Sequence, residues 1–132
     1  MNPASSFIET SASSSSKTRT CVIIDDEERG RAYLNALLRR NFPDLLHVGQ
    51  AGSVDESVAL IARTKPDIAF LDIDIIGGTA FDVLERLDVK PFVIIFTTVT
   101  NNPGTKLRLP DVAVLLKPIS IDALKKVLHS SL

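Results

Sequence analysis

Short apolar runs that stop at charged or turn-forming residues alternate along this chain with stretches whose apolar positions recur at helical spacing. Residues 20–24 (Thr-Cys-Val-Ile-Ile) are the first such run and end at Asp25-Asp26. Residues 68–71 (Ile-Ala-Phe-Leu) follow the turn signal Lys65-Pro66-Asp67, stop at Asp72 and are bounded by Gly77-Gly78. Runs this short between turn signals read as strands buried on both faces. Residues 45–50 are less apolar and read as a strand nearer a sheet edge. Residues 92–97 and 112–116 supply two more.

The intervening stretches read as helices. Residues 27–41 place Ala32, Leu34, Leu37, Leu38 and Phe42 at helical spacing. Acids stand at the start of this helix and Arg39-Arg40 at its end, as the macrodipole favours, and Phe42-Pro43-Asp44 stops it. Ser53, with Asp55-Glu56 in the first turn, opens a helix running to about Thr64 with Val54, Val58, Ile61 and Ala62 on one side. Residues 80–87 bury Phe81, Leu84 and Leu87. A last helix, capped by Ser120 or Asp122, turns Ile121, Leu124, Val127 and Leu128 inward.

Strands alternating with helices imply right-handed βαβ units and a parallel sheet covered on both faces. The predicted fold class is α/β, a flavodoxin-like doubly wound five-stranded parallel sheet of order 2-1-3-4-5. In that order strands one and three are neighbours, and their carboxyl ends bring Asp25, Asp26 and Asp72 to one rim. One unit is irregular. Residues 99–111 (Val-Thr-Asn-Asn-Pro-Gly-Thr-Lys-Leu-Arg-Leu-Pro-Asp) carry a turn signal and a closing proline. The fourth helix is expected to be short or replaced by a loop, with at most one turn around residues 106–109.

Length and composition narrow the picture further. A chain of 132 residues argues for one domain. Residues 1–19 are Ser/Thr-rich and read as a disordered tail, because they bury too little apolar area to offset ordering entropy; residues 20–132 are the domain. A net charge of −1 supplies no global basic field, so direct nucleic-acid binding and membrane association are not expected. No apolar stretch reaches the roughly 20 residues that span a bilayer, and no secretory signal is apparent. The single cysteine, Cys21, forms no internal disulfide, fits a reducing cytoplasm and reads as a core residue. His47 and His129 are lone histidines, expected at surface or satisfied positions.

Three carboxylates at one rim repel one another unless a cation sits among them or one is protonated. An all-oxygen site with room for water suits Mg²⁺. Asp72 could then attack a phosphoryl group and form an acyl phosphate, with charge offset by the metal and a nearby cation. Lys117, after strand five, can reach the rim as that cation. Thr97 or Thr98, ending strand four, offers a hydroxyl to a phosphoryl oxygen.

These residues resemble a response-regulator receiver domain, over about residues 20–132. The resemblance rests on Ile23-Ile24-Asp25-Asp26-Glu27, Pro66-Asp67-Ile68-Ala69-Phe70-Leu71-Asp72-Ile73, Ile94-Ile95-Phe96-Thr97-Thr98 and Leu115-Leu116-Lys117-Pro118-Ile119. Leu71-Asp72-Ile73 and Gly78-Thr79-Ala80-Phe81-Asp82 look most like receivers that precede LytTR-type DNA-binding domains. The resemblance implies that Asp72 accepts a phosphoryl group from a phosphohistidine on a histidine kinase or histidine phosphotransfer protein. It implies Mg²⁺ held by Asp26, Asp25, Asp72 and the backbone carbonyl of Asp74. Thr98 would bind the phosphoryl group and Lys117 would pair with it. The domain would signal in the cytoplasm as a monomer or weak dimer, without turning over a separate substrate.

The sequence also departs from the family pattern. Ile76 stands where a proline is usual and Ala80 where a glycine is usual. Val99 replaces the small residue after the threonine, narrowing access to the phosphoryl site, and Val114 replaces the switch aromatic. The spacing from Thr98 to Lys117 is short. The expected readout is therefore ordering of residues 99–111. Arg29, Arg31, Arg39 and Arg40 on the first helix read as a solvated face or a kinase-docking surface. Two rival readings stay open: a degenerate receiver that binds a partner without phosphate, and a haloacid-dehalogenase-like phosphatase using Asp72-Ile73-Asp74.

Overall fold

The computed structural model describes residues 18–99 and 112–131. In chain order the elements are β1 (Arg19–Ile24), α1 (Glu28–Asn41), β2 (Leu45–Ala51), α2 (Val54–Thr64), β3 (Ile68–Asp72), β4 (Asp74–Ile75), β5 (Gly78–Thr79), α3 (Ala80–Arg86), β6 (Val93–Thr98), β7 (Val112–Leu116) and α4 (Ile121–Ser131). Five of these strands form one parallel sheet in the order β2-β1-β3-β6-β7. That is the 2-1-3-4-5 order the strand–helix alternation predicts.

The position of β3 follows from its composition. Ile68, Ala69, Phe70 and Leu71 are fully buried, so the strand needs cover on both faces and takes the centre of the sheet. Alternation of side chains then divides the core in two. Val22, Ile24, Ala69, Leu71 and Phe96 pack with Leu60 and Ile61 of α2 and Val83 and Leu84 of α3. Cys21, Ile23, Phe70, Ile95 and Leu115 pack with Leu34 and Leu38 of α1 and Leu124 and Leu128 of α4. The less apolar β2 lies at an edge, with Leu46 exposed.

Asp67 locks the register from below. Its Oδ2 accepts the Thr20 N–H at 2.8 Å, and its own N–H donates to the Thr20 carbonyl at 3.0 Å. Ser53 caps α2 by accepting the Glu56 N–H. Ser120, rather than Asp122, caps α4 through the Ala123 N–H.

Several expectations are corrected. Ala32 and Ala62 are exposed, because two-turn spacing alone does not tell the rim of an apolar stripe from its centre. Val83 is fully buried while Phe81 is only partly so. Strand six begins at Val93, leaving Phe92 75% exposed outside the ladder. Arg19 belongs to β1, where it pairs with Leu45, so the ordered domain starts inside the range read as tail. The rest of that tail, residues 1–17, lies outside the described residues. So does the segment 100–111, on which the short or missing fourth helix and its ordering depend.

A small antiparallel hairpin follows β3, pairing Asp74 with Thr79 and Ile75 with Gly78. Gly77 turns it with φ 91°, a conformation that favours glycine. The hairpin is stitched to the β2–α2 loop. The Ile76 N–H donates to the Gly52 carbonyl at 3.2 Å, and the Val54 N–H donates to the Ile76 carbonyl at 2.9 Å. A proline at position 76 has no N–H to make the first of these bonds.

Candidate functional site

The carboxyl ends of β1, β3, β6 and β7 meet at one rim, and backbone bonds hold them there. The last two carbonyls of β6 do most of this. Thr97 accepts the Ile73 N–H at 3.0 Å, fixing the chain just after Asp72. Thr98 accepts the Lys117 N–H at 2.8 Å, fixing the chain just after β7. The Asp25 N–H donates to the Ala51 carbonyl at 3.0 Å. The Lys117–Pro118 peptide is cis.

Four predicted site residues come together. Lys117 Nζ lies 2.8 Å from Asp25 Oδ2 and 3.0 Å from Asp72 Oδ2. Carboxylate oxygens of Asp25, Asp26 and Asp72 all lie within 4.8 Å of one another. Asp25 is 4% exposed and Asp72 8%, whereas Asp26 is open to solvent. Asp25 Oδ1 also accepts the Glu27 N–H at 2.9 Å. Below the rim a cavity of about 210 Å³ is lined in part by Asp25, Gly30, Tyr33, Phe70, Thr97 and Lys117.

The electrostatics follow from this burial. Desolvation pushes the Asp72 carboxyl from its ordinary 3.8 up to about 6; the bond and charge of Lys117 pull the other way, and the charges of Asp25 and Asp26 add to the rise. Burial acts to lower the Lys117 ammonium, but its bonds to Asp25 and Asp72 outweigh that and hold it above its ordinary range. The donor set is all oxygen, closely spaced and open to water on the Asp26 side, which fits a hard divalent cation.

The other predicted residues are placed differently. Thr97 pairs with Asp72 in the ladder and lines the cavity. Thr98 is buried one step further on, paired with Leu116. By strand alternation it shares a face with Phe96 and Val114, away from the cavity. Asp74 is exposed at the start of the hairpin. Val99, directly after β6, is 80% exposed.

Two contributors were not anticipated. Arg31 is not part of a free solvated face: its Nη1 donates to the Asp25 carbonyl at 2.6 Å. Gly30 packs directly against Asp25. Their only sequence signal is a glycine early in an otherwise good helix. His47 is half-buried, with a hydrogen bond to the Gly49 backbone and Nε2 lacking a partner among the described residues. His129 is exposed and meets Phe42 edge-on.

Comparison with known proteins agrees with this geometry. The chain is 29% identical over 110 residues to the sensory transduction protein LytT of Bacillus subtilis (strain 168), covering 81% of this chain and 45% of that protein. It is 28% identical over 110 residues to the transcriptional regulatory protein BtsR of Salmonella typhi, covering 82% and 46%. The chain thus spans about half the length of the curated relatives it matches. A CheY-like receiver domain structure from Methylobacillus flagellatus superposes with a TM-score of 0.74 at 16% identity, covering 87% of this chain and 99% of that one, a likeness of fold. The response regulator receiver domain matches residues 21–129. A sheet of this order, carrying acids after its first and third strands and a lysine after its fifth, thus has its family: the chain belongs to the response regulator receiver domains of two-component systems.

Proposed function

We propose that this chain is a phosphoacceptor in a cytoplasmic two-component pathway, taking a phosphoryl group onto Asp72 from a phosphohistidine of a histidine kinase or phosphotransfer protein. The observation that carries this reading is Lys117 Nζ set between Asp25 and Asp72 within a three-carboxylate cluster.

Asp72 Oδ1 is the attacking atom, since Oδ2 is held by Lys117. Above about pH 6 the carboxyl is ionised and nucleophilic. Its oxygen bonds to phosphorus, the phosphorus–nitrogen bond breaks, and the leaving imidazole takes up a proton. Lys117 offsets the negative charge on the transferring oxygens. Asp25, Asp26, Asp72 and the Asp74 carbonyl are the groups that would hold Mg²⁺, which when bound adds positive charge beside the phosphoryl oxygens. Thr98 and Val114 share a sheet face, so a threonine drawn toward the phosphoryl group would alter packing at Val114. The domain then signals by its conformation and turns over no separate substrate.

The test is treatment with acetyl phosphate and Mg²⁺, followed by intact mass. A gain of one phosphoryl mass in the wild type and none in Asp72→Ala is expected. An unchanged wild-type mass defeats the reading. Val114 in place of the switch aromatic favours one alternative, a partner-binding module that needs no phosphate. Partner binding indifferent to Asp72→Ala, together with an unmodified wild type, would establish it.

A further inference from the structure

Glycine is among the poorest helix formers, yet Gly30 stands in the first turn of α1. No backbone requirement explains it: among the described residues positive φ angles occur only at Lys65, Gly77 and Gly78. The reason lies at its Cα. A Cβ built there would sit 2.5 Å from Asp25 Oδ2 and 3.0 Å from Asp25 Cγ, well inside van der Waals contact. The carboxylate lies against the helix in space that any other residue would fill.

That placement decides what Asp25 does. With its carboxylate against α1, Oδ1 accepts the Glu27 N–H at 2.9 Å and Oδ2 accepts from Lys117 at 2.8 Å. The same ammonium reaches Asp72 Oδ2 at 3.0 Å. We infer that Gly30 is a positioning residue of the acid site: its missing Cβ lets Asp25 lean on α1 and share Lys117 with Asp72.

A consequence follows that rests on the Mg²⁺ reading above. Shared Lys117 acts as an internal counter-cation for the carboxylate cluster, so a divalent ion binds in competition with the Asp25–Lys117 bond. In Gly30→Ala the Cβ displaces the carboxylate from α1, and that competitor is lost. The variant should fold, because alanine is the better helix former.

The experiment has two readouts on the full chain. The first is a double-mutant cycle of Asp25→Asn and Lys117→Met, measured by urea unfolding in chelator. Coupling of about fivefold or more in the unfolding equilibrium constant is expected with Gly30 present, falling below about twofold in the Gly30→Ala background. The second is Mg²⁺ titration by calorimetry. Gly30→Ala is expected to bind Mg²⁺ several-fold tighter than wild type, and adding Lys117→Met, which then frees only Asp72, should raise affinity less than Lys117→Met does with Gly30 present. Mere structural damage would weaken binding instead. Coupling that survives Gly30→Ala, or Mg²⁺ affinity that is unchanged or weaker, overturns the inference. A wild type that binds no Mg²⁺ at millimolar concentration defeats the metal reading alone, and the unfolding cycle then decides the role of Gly30.

Discussion

Replacing Asp72 by asparagine removes a charge that the fold holds at a cost. Burial raises the carboxyl from 3.8 to about 6, despite the opposing pull of Lys117. The sign follows from proton binding. The native carboxyl holds its proton more tightly than the unfolded one, so between about pH 4 and pH 6 the native state binds more protons. Stability is therefore lost as pH rises through that window and levels off above it. At about 1.4 kcal/mol for each tenfold step, the difference is about 3 kcal/mol. An asparagine is neutral throughout and escapes this loss. Urea unfolding in chelator is expected to show Asp72→Asn more stable than wild type by up to about 3 kcal/mol at pH 7.5, with the gap closing near pH 3.5. Saturating Mg²⁺ should narrow the neutral-pH gap, because only the wild type keeps the full set of acids. A gap independent of pH, or a wild type more stable at neutral pH, would refute the reasoning.

Lys117→Met leaves Asp25 and Asp72 without their shared cation; a loss of about 3 kcal/mol in chelator at neutral pH is expected from breaking a mostly buried pair, part of it returned by millimolar Mg²⁺ in thermal unfolding. Thr79→Ala removes the capping box in which the Thr79 hydroxyl and the Asp82 carboxylate satisfy each other's backbone N–H groups; it should cost about 1 kcal/mol, and Thr79→Ser should restore most of it. Ile76 is 61% exposed, so Ile76→Ala should change stability by less than about 0.5 kcal/mol. Ile76→Pro deletes the N–H that reaches the Gly52 carbonyl and should cost about 1 kcal/mol or more; equal unfolding midpoints for the two variants would show that this bond contributes nothing.

The sequence by itself determined the strand–helix alternation, the central place of residues 68–71 and the strand order, because apolar periodicity and burial on both faces are local properties of the chain. From that order it also followed that Asp25, Asp26, Asp72 and Lys117 share a rim. What the side chains do at that rim was decided only in three dimensions. Lys117 could have served Asp72 alone; the space beside Gly30 lets Asp25 take a share. Arg31 looked like one more surface charge until α1 packed it over the end of β1. The stitched hairpin at Ile76 needs Gly52 from a distant loop. Burial, close approach and hydrogen bonds between segments far apart in sequence depend on distances that a one-dimensional pattern does not contain.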